Sequence, residues 1–183
     1  MKKAVLFFMA SVAALPFFTA CEGAGESASG FRHIEIVDPD HGLMNSQTFI
    51  EGADGHTGRR FSRADSINPF GMGYSYLIPD SMIGKAITVS VDAWVRSGDL
   101  SHGCELVVSC VTKDSLTLWQ VCGVRDFLKN PNEWTNVTKS IDIPANISKS
   151  STYINVLTHN AEPRSYIDID DLKIEYTDLK PVN

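Results

Sequence analysis

From Phe31 onward the apolar residues fall in short runs rich in Val, Ile, Thr, Tyr and Trp, parted by Gly, Pro, Asn and Asp, which is the pattern of strands and turns. No stretch sustains a helical period over three turns. The pattern predicts strands over 32–37, 59–65, 73–78, 86–96, 104–112, 115–124, 134–143, 152–158 and 166–176, with one helical turn at 125–129. Alternation is clearest where Ile87, Val89, Val91, Ala93 and Val95 interleave with Thr88, Ser90, Asp92, Trp94 and Arg96, giving one apolar face and one polar face around a tryptophan. Eight or nine such strands predict an all-β fold, a sandwich of antiparallel strands. Missing crossover helices exclude a parallel α/β sheet.

The start of the chain has a different texture. Met1-Lys2-Lys3 precedes an uncharged apolar run over 4–18 and then Thr19-Ala20-Cys21, the three regions of a secretory signal, in a run too short for a comfortable membrane span. Phe18-Thr19-Ala20-Cys21 resembles the lipobox of bacterial lipoproteins. That resemblance implies cleavage after residue 20, acylation of Cys21, a polar tether to residue 30, and a domain over 31–183 held at a bacterial cell envelope, on the outer membrane or cell surface. The 183 residues carry 16 Lys and Arg against 22 Asp and Glu, a formal charge of −6. An acidic chain without a basic stripe excludes nucleic acid as a partner.

Four phrases taken in order, HTGRRFSRADS at 56–66, AITVSVDAWVRSG at 86–98, NEWTNVTKSIDIP at 132–144 and YIDIDDLKIEY at 166–176, resemble the jelly-roll carbohydrate-binding modules and their galactose-binding-like relatives. Asn45 and Phe49-Ile50-Glu51 loosely echo the early segment of those modules. The resemblance implies a jelly-roll sandwich that binds a polysaccharide or oligosaccharide without cleaving it. It also implies a structural calcium on Asp170 or Asp171, with Glu51 or Glu35 as partner, since calcium favours clustered hard oxygens.

The aspartates of Ser165–Tyr176 admit other readings. Asp168 and Asp170 share a face, but the third carboxylate that a concanavalin-like glycosidase would place on this strand is replaced by Lys173, so no catalytic set is predicted. The simplest expectation is an alternating strand with its polar side in water. His33, His41, His56, His102 and His159 show no zinc-ligand spacing, and no nucleophile elbow, phosphate loop or dinucleotide fingerprint occurs. Trp94, outward on its strand between Asp92 and Arg96, is the candidate sugar platform, and Trp134 reads as a core anchor; Tyr74, Tyr76 and Tyr153 are ambiguous.

Cys104, Cys110 and Cys122 allow at most one bridge within the chain. If 104–112 and 115–124 form a hairpin, a three-residue loop sets Cys104 opposite Cys122 and sends Trp119 outward as a second platform; one residue of slip buries Trp119 instead. The first register is favoured because its even-numbered face is the more uniformly apolar. The expected function is therefore non-catalytic glycan binding by an anchored envelope lipoprotein. The alternative is a structural lipoprotein with an envelope protein partner, marked by an apolar patch or a flat polar face where the first would show a row of exposed aromatics.

Overall fold

The computed structural model describes residues 30–41, 48–52, 54–98, 103–162 and 164–178, so the signal region, Cys21 and Asn45 lie outside the described residues. Among the described residues ten strands form: β1 Arg32–Val37, β2 Phe49–Glu51, β3 Arg60–Ala64, β4 Phe70–Leu77, β5 Ile87–Arg96, β6 Cys104–Val111, β7 Leu116–Gly123, β8 Thr135–Ile143, β9 Tyr153–Asn160 and β10 Ile167–Asp178. One sheet runs β2-β3-β10-β5-β8 with β1 also on β10, and the other runs β4-β9-β6-β7. All pairings are antiparallel, which makes the all-β sandwich expected from the alternation. The expected helical turn is a short 3-10 turn at Val124–Asp126, displaced by one residue from its predicted start.

The core lies between the sheets. Ile87, Val89, Val91, Ala93 and Val95 of β5 face Met72, Leu106, Val108, Cys110, Ile154 and Val156 from the other layer within one buried cluster. Strand β10 is the spine of the six-stranded sheet. β5 pairs along one side of it, while β3 takes its first residues on the other side and β1 takes over from Leu172.

A β-bulge divides that spine. Pairing with β5 shifts between Asp170 and Lys173, and Asp171 adopts a left-handed φ of 47°. The extra residue reverses the parity of the strand, so that Ile167 and Ile169 face the core before the bulge and Leu172, Ile174 and Tyr176 after it. Strict alternation would have turned half the strand inside out.

The solvated polar side expected for Asp168 and Asp170 is not found: both are 0% exposed. Arg63 clamps Asp168 from β3, donating from Nε to Oδ1 at 2.7 Å and from Nη2 to Oδ2 at 2.9 Å, and Arg96 of β5 donates from Nε to Oδ2 at 2.9 Å. Those guanidiniums interleave with rings. Arg63 lies 3.9 Å from the Tyr166 centroid and 5.7 Å from that of Phe61, and Arg96 lies 4.7 Å from Phe61 and 4.5 Å from Trp134. The planar cations stack where an ammonium could not. Trp134 thus caps this outer layer and is not an anchor of the central core.

Asp170 is covered by the turn before β3. The backbone N–H groups of His56 and Thr57 donate to its Oδ2 at 2.9 and 3.2 Å, and that of Asp171 donates to Oδ1 at 2.9 Å. Burial wins over these bonds and pushes its carboxyl up to about 6 from an ordinary 3.8, with the neighbouring Asp171 adding to the rise.

The β6–β7 hairpin follows neither expected register. Leu106 opposes Cys122 and Ser109 opposes Trp119, two residues along from the favoured alignment, so faces are kept while Cys104 and Cys122 are not opposed. All three described cysteines are free and buried. Cys104 hydrogen-bonds instead to the Tyr166 carbonyl at 3.2 Å, and desolvation raises the Cys110 thiol to about 11. These are inert thiols.

Asp168→Ala leaves two guanidiniums without their counter-charge and should destabilise the fold by ~3–5 kcal/mol in urea unfolding, the cost of breaking a buried ion pair from one side. For Asp170 the folded chain holds a proton that the unfolded chain has already released between about pH 4 and pH 6, so its contribution to stability is lost as pH rises through that window. Unfolding free energies of the native chain and Asp170→Asn, compared from acid to neutral pH, should therefore diverge by ~3 kcal/mol, the native chain losing ground as pH rises.

Candidate functional site

The residues singled out on the six-stranded sheet do not make an open ligand surface. Trp94 is half-buried, and the His56 ring lies flat against its indole with centroids 3.7 Å apart and planes 12° apart. Arg96 is committed to Asp168. Asp92 accepts from Asn136 Nδ2 at 2.7 Å and, with Ser90, Val91, Thr138, Lys173 and Glu175, lines a depression of about 160 Å3 that has no aromatic floor.

Nor are the expected calcium ligands brought together. Asp170 is saturated by backbone N–H groups, Asp171 accepts from the Thr57 hydroxyl at 2.8 Å and lies 2.7 Å from His56 Nδ1, and Glu51 is exposed and paired with Arg60 at 3.1 Å. Glu35, the other partner considered, accepts from the Tyr74 hydroxyl at 2.6 Å. Among the described residues no three His, Cys, Asp or Glu side chains form a metal-binding group. The 54–59 turn presents the N–H groups of His56 and Thr57 to Asp170.

The outer face of the four-stranded sheet has another character. Its strands bring outward residues into cross-strand rows: Ser75, Asn155, Ser109 and Trp119 in one, and Phe70, His159 and Glu105 in another. Between them lie Leu157, Val107 and Val121, and beyond the first row Leu77, Tyr153 and Val111. Three aromatics stand open here, Trp119 at 41%, Tyr153 at 45% and Phe70 at 49% exposure. Val107 points away from the central core yet is 0% exposed, so this face carries a packed apolar layer of its own.

Polar groups are threaded through that layer in fixed positions. Ser75 donates to Asn155 Oδ1 at 2.6 Å, and Asn155 Nδ2 reaches the Ser109 hydroxyl at 3.5 Å. His159 stacks on Phe70 with centroids 4.9 Å apart, meets Trp119 edge-on at 5.9 Å, and holds Glu105 through Nδ1 at 2.9 Å. Open rings beside oriented amide, hydroxyl and carboxylate groups suit a flat ligand with an apolar face and a polar rim.

Trp119 is therefore the sequence-predicted ligand residue that this face includes. Phe70, Asn155, His159 and Glu105 were missed, and Tyr153 was left open. The signal was present in the alternation of Tyr153, Asn155, Leu157 and His159 against Ile154, Val156 and Thr158, but assigning the outer parity to a site needs the neighbouring strands.

No protein-family profile and no curated protein sequence matches the chain. Among solved structures it is similar to dimeric latent PorU from Porphyromonas gingivalis, at 5% identity and a TM-score of 0.43 over 81% of this chain and 13% of that one. It is also similar to the Stig cyclase Fisc from Fischerella sp. TAU, at 8% identity and a TM-score of 0.43 over 82% and 77% of the two chains. A third likeness is to the C-terminal family 22 carbohydrate-binding module of Clostridium thermocellum Xyn10B, at 14% identity and a TM-score of 0.40 over 87% and 92%. This chain thus spans about an eighth of the PorU chain, and its sandwich assignment rests on its own strand order and register.

Proposed function

We propose that this domain binds a glycan chain, without cleaving it, on the outer face of the four-stranded sheet. The observation that carries the reading is the trio of open rings, Trp119, Tyr153 and Phe70, set around the hydrogen-bonded row of Ser75, Asn155 and Ser109. Rings stack on the apolar faces of pyranoses, and the amide and hydroxyls meet their rims. Strand spacing puts the backbones of Tyr153 and Trp119 ~12 Å apart and those of Tyr153 and Phe70 ~20 Å apart. A single sugar ring cannot engage all three, which favours a polymer.

Two carboxylates of β10 are committed to structure. Asp168 is locked between two arginines, and Asp170 is sealed under the 54–59 turn. The lipobox-like 18–21 segment extends the proposal to a lipid-anchored protein of a bacterial envelope, displaying the sandwich beyond a short tether. A second reading is favoured by one feature of the same face: the exposed aliphatics Leu77, Leu116 and Val121 beside the aromatics would suit an apolar protein partner.

Calorimetric titration of the protein with a panel of polysaccharides and their oligomers should give binding that strengthens with chain length, with no release of reducing ends. Trp119→Ala and Tyr153→Ala should each weaken it roughly tenfold or more. Trp94→Ala should lower thermal stability and leave affinity alone. No binding across the panel, or loss through Trp94 and not through Trp119, would overturn the proposal. For the anchor, Cys21→Ser should shift the chain from the membrane to the soluble fraction or block its processing, read by fractionation and by mass spectrometry of the N-terminus.

A further inference from the structure

The charge on the aromatic face is concentrated at one end. Among the outward positions of its four strands the only carboxylate is Glu105 of β6, and the only other group that can carry charge near neutral pH is His159 of β9, its cross-strand partner. Both side chains are about one-fifth exposed. Glu105 Oε2 lies 2.9 Å from His159 Nδ1, so that nitrogen carries the proton and donates to the carboxylate.

That end of the face consequently offers an acceptor, the second carboxylate oxygen of Glu105. Phe70 packed on His159 and Trp119 against its edge replace water beside the pair by low-dielectric rings. A fixed negative charge acts more strongly there than in open solvent.

We infer that Glu105, positioned by His159, is the specificity-determining residue of this face: it selects glycans whose rims present hydroxyl or N–H donors and rejects those bearing carboxylate or sulfate groups. The inference rests on the glycan reading of the same face and sharpens it to neutral or amino-bearing polymers. An incoming carboxylate can only accept hydrogen bonds, so at this end it meets a carboxylate acceptor of like charge. A hydroxyl donates to that carboxylate and carries no charge to repel.

The test compares one glycan in two forms. The neutral hexose polymer that binds best in the titration panel is measured beside the same polymer after its C6 alcohols have been oxidised to carboxylates. The native chain should bind the oxidised form weaker by on the order of tenfold, as expected for like charges within several ångströms at intermediate dielectric. Glu105→Gln keeps the size and an acceptor for His159 and removes the charge, and it should close most of that gap. With the native chain alone, raising the salt concentration should also narrow it, because the repulsion is screened. Equal affinity of the native chain for both forms, or a gap that Glu105→Gln and salt leave untouched, overturns the inference while the glycan reading stands. Failure of both forms to bind overturns the two together.

Discussion

A carboxylate buried in the middle of a sheet must be answered by charge from its neighbours, and in this fold that requirement organises one whole side of the molecule. Asp168 sits on the central strand β10, fully removed from water, and its two flanking strands each send an arginine to it. A buried pair of this kind is a poor source of net stability compared with apolar packing, but a half-removed one is costly. The guanidiniums, once fixed, become planar surfaces on which Tyr166, Phe61 and Trp134 stack. Hydrogen bonding from Trp134 Nε1 to the Asp54 carbonyl, at 3.2 Å, then ties the stack to the turn that covers Asp170. One buried charge thereby links three strands, two loops and most of the aromatic content of that face.

The bulge at Asp170–Lys173 is the second half of the same arrangement. By inserting Asp171 in a left-handed conformation it lets β10 bury Ile167 and Ile169 on one side of the kink and Leu172, Ile174 and Tyr176 on the other. Asp170 and Asp171, displaced outward, capture the 54–59 turn through its backbone and through His56 and Thr57. The six-stranded sheet thus uses its outward polar and aromatic residues on itself. The four-stranded sheet keeps its rings open.

Much of this was readable in outline. The period-two runs located nine of the ten strands; the short β2, three residues long, carried too little alternation to register. The outward direction of Trp119 followed from the even-numbered apolar face of its hairpin. The cysteine pairing did not follow, because faces repeat every two residues and the true register lies two residues from the favoured one, leaving Leu106 opposite Cys122. Trp94 was also correctly placed on the outer side of β5, yet its ring is covered by His56, from a segment 38 positions earlier in the chain.

The sequence by itself determined the fold class, the acidic charge balance and the parity of unbulged strands such as β5, since these depend on local composition and on the two-residue period of a pleated chain. Only the tertiary structure decided what each outward residue meets. Asp168 and Asp170 look like the water-facing half of an alternating strand until β3, β5 and the 54–59 turn close around them. Phe70, His159 and Glu105 look unrelated until antiparallel pairing of β4, β9 and β6 sets them side by side. Periodicity assigns a side chain to a face; strand order and loop packing determine whether that face is sealed or open.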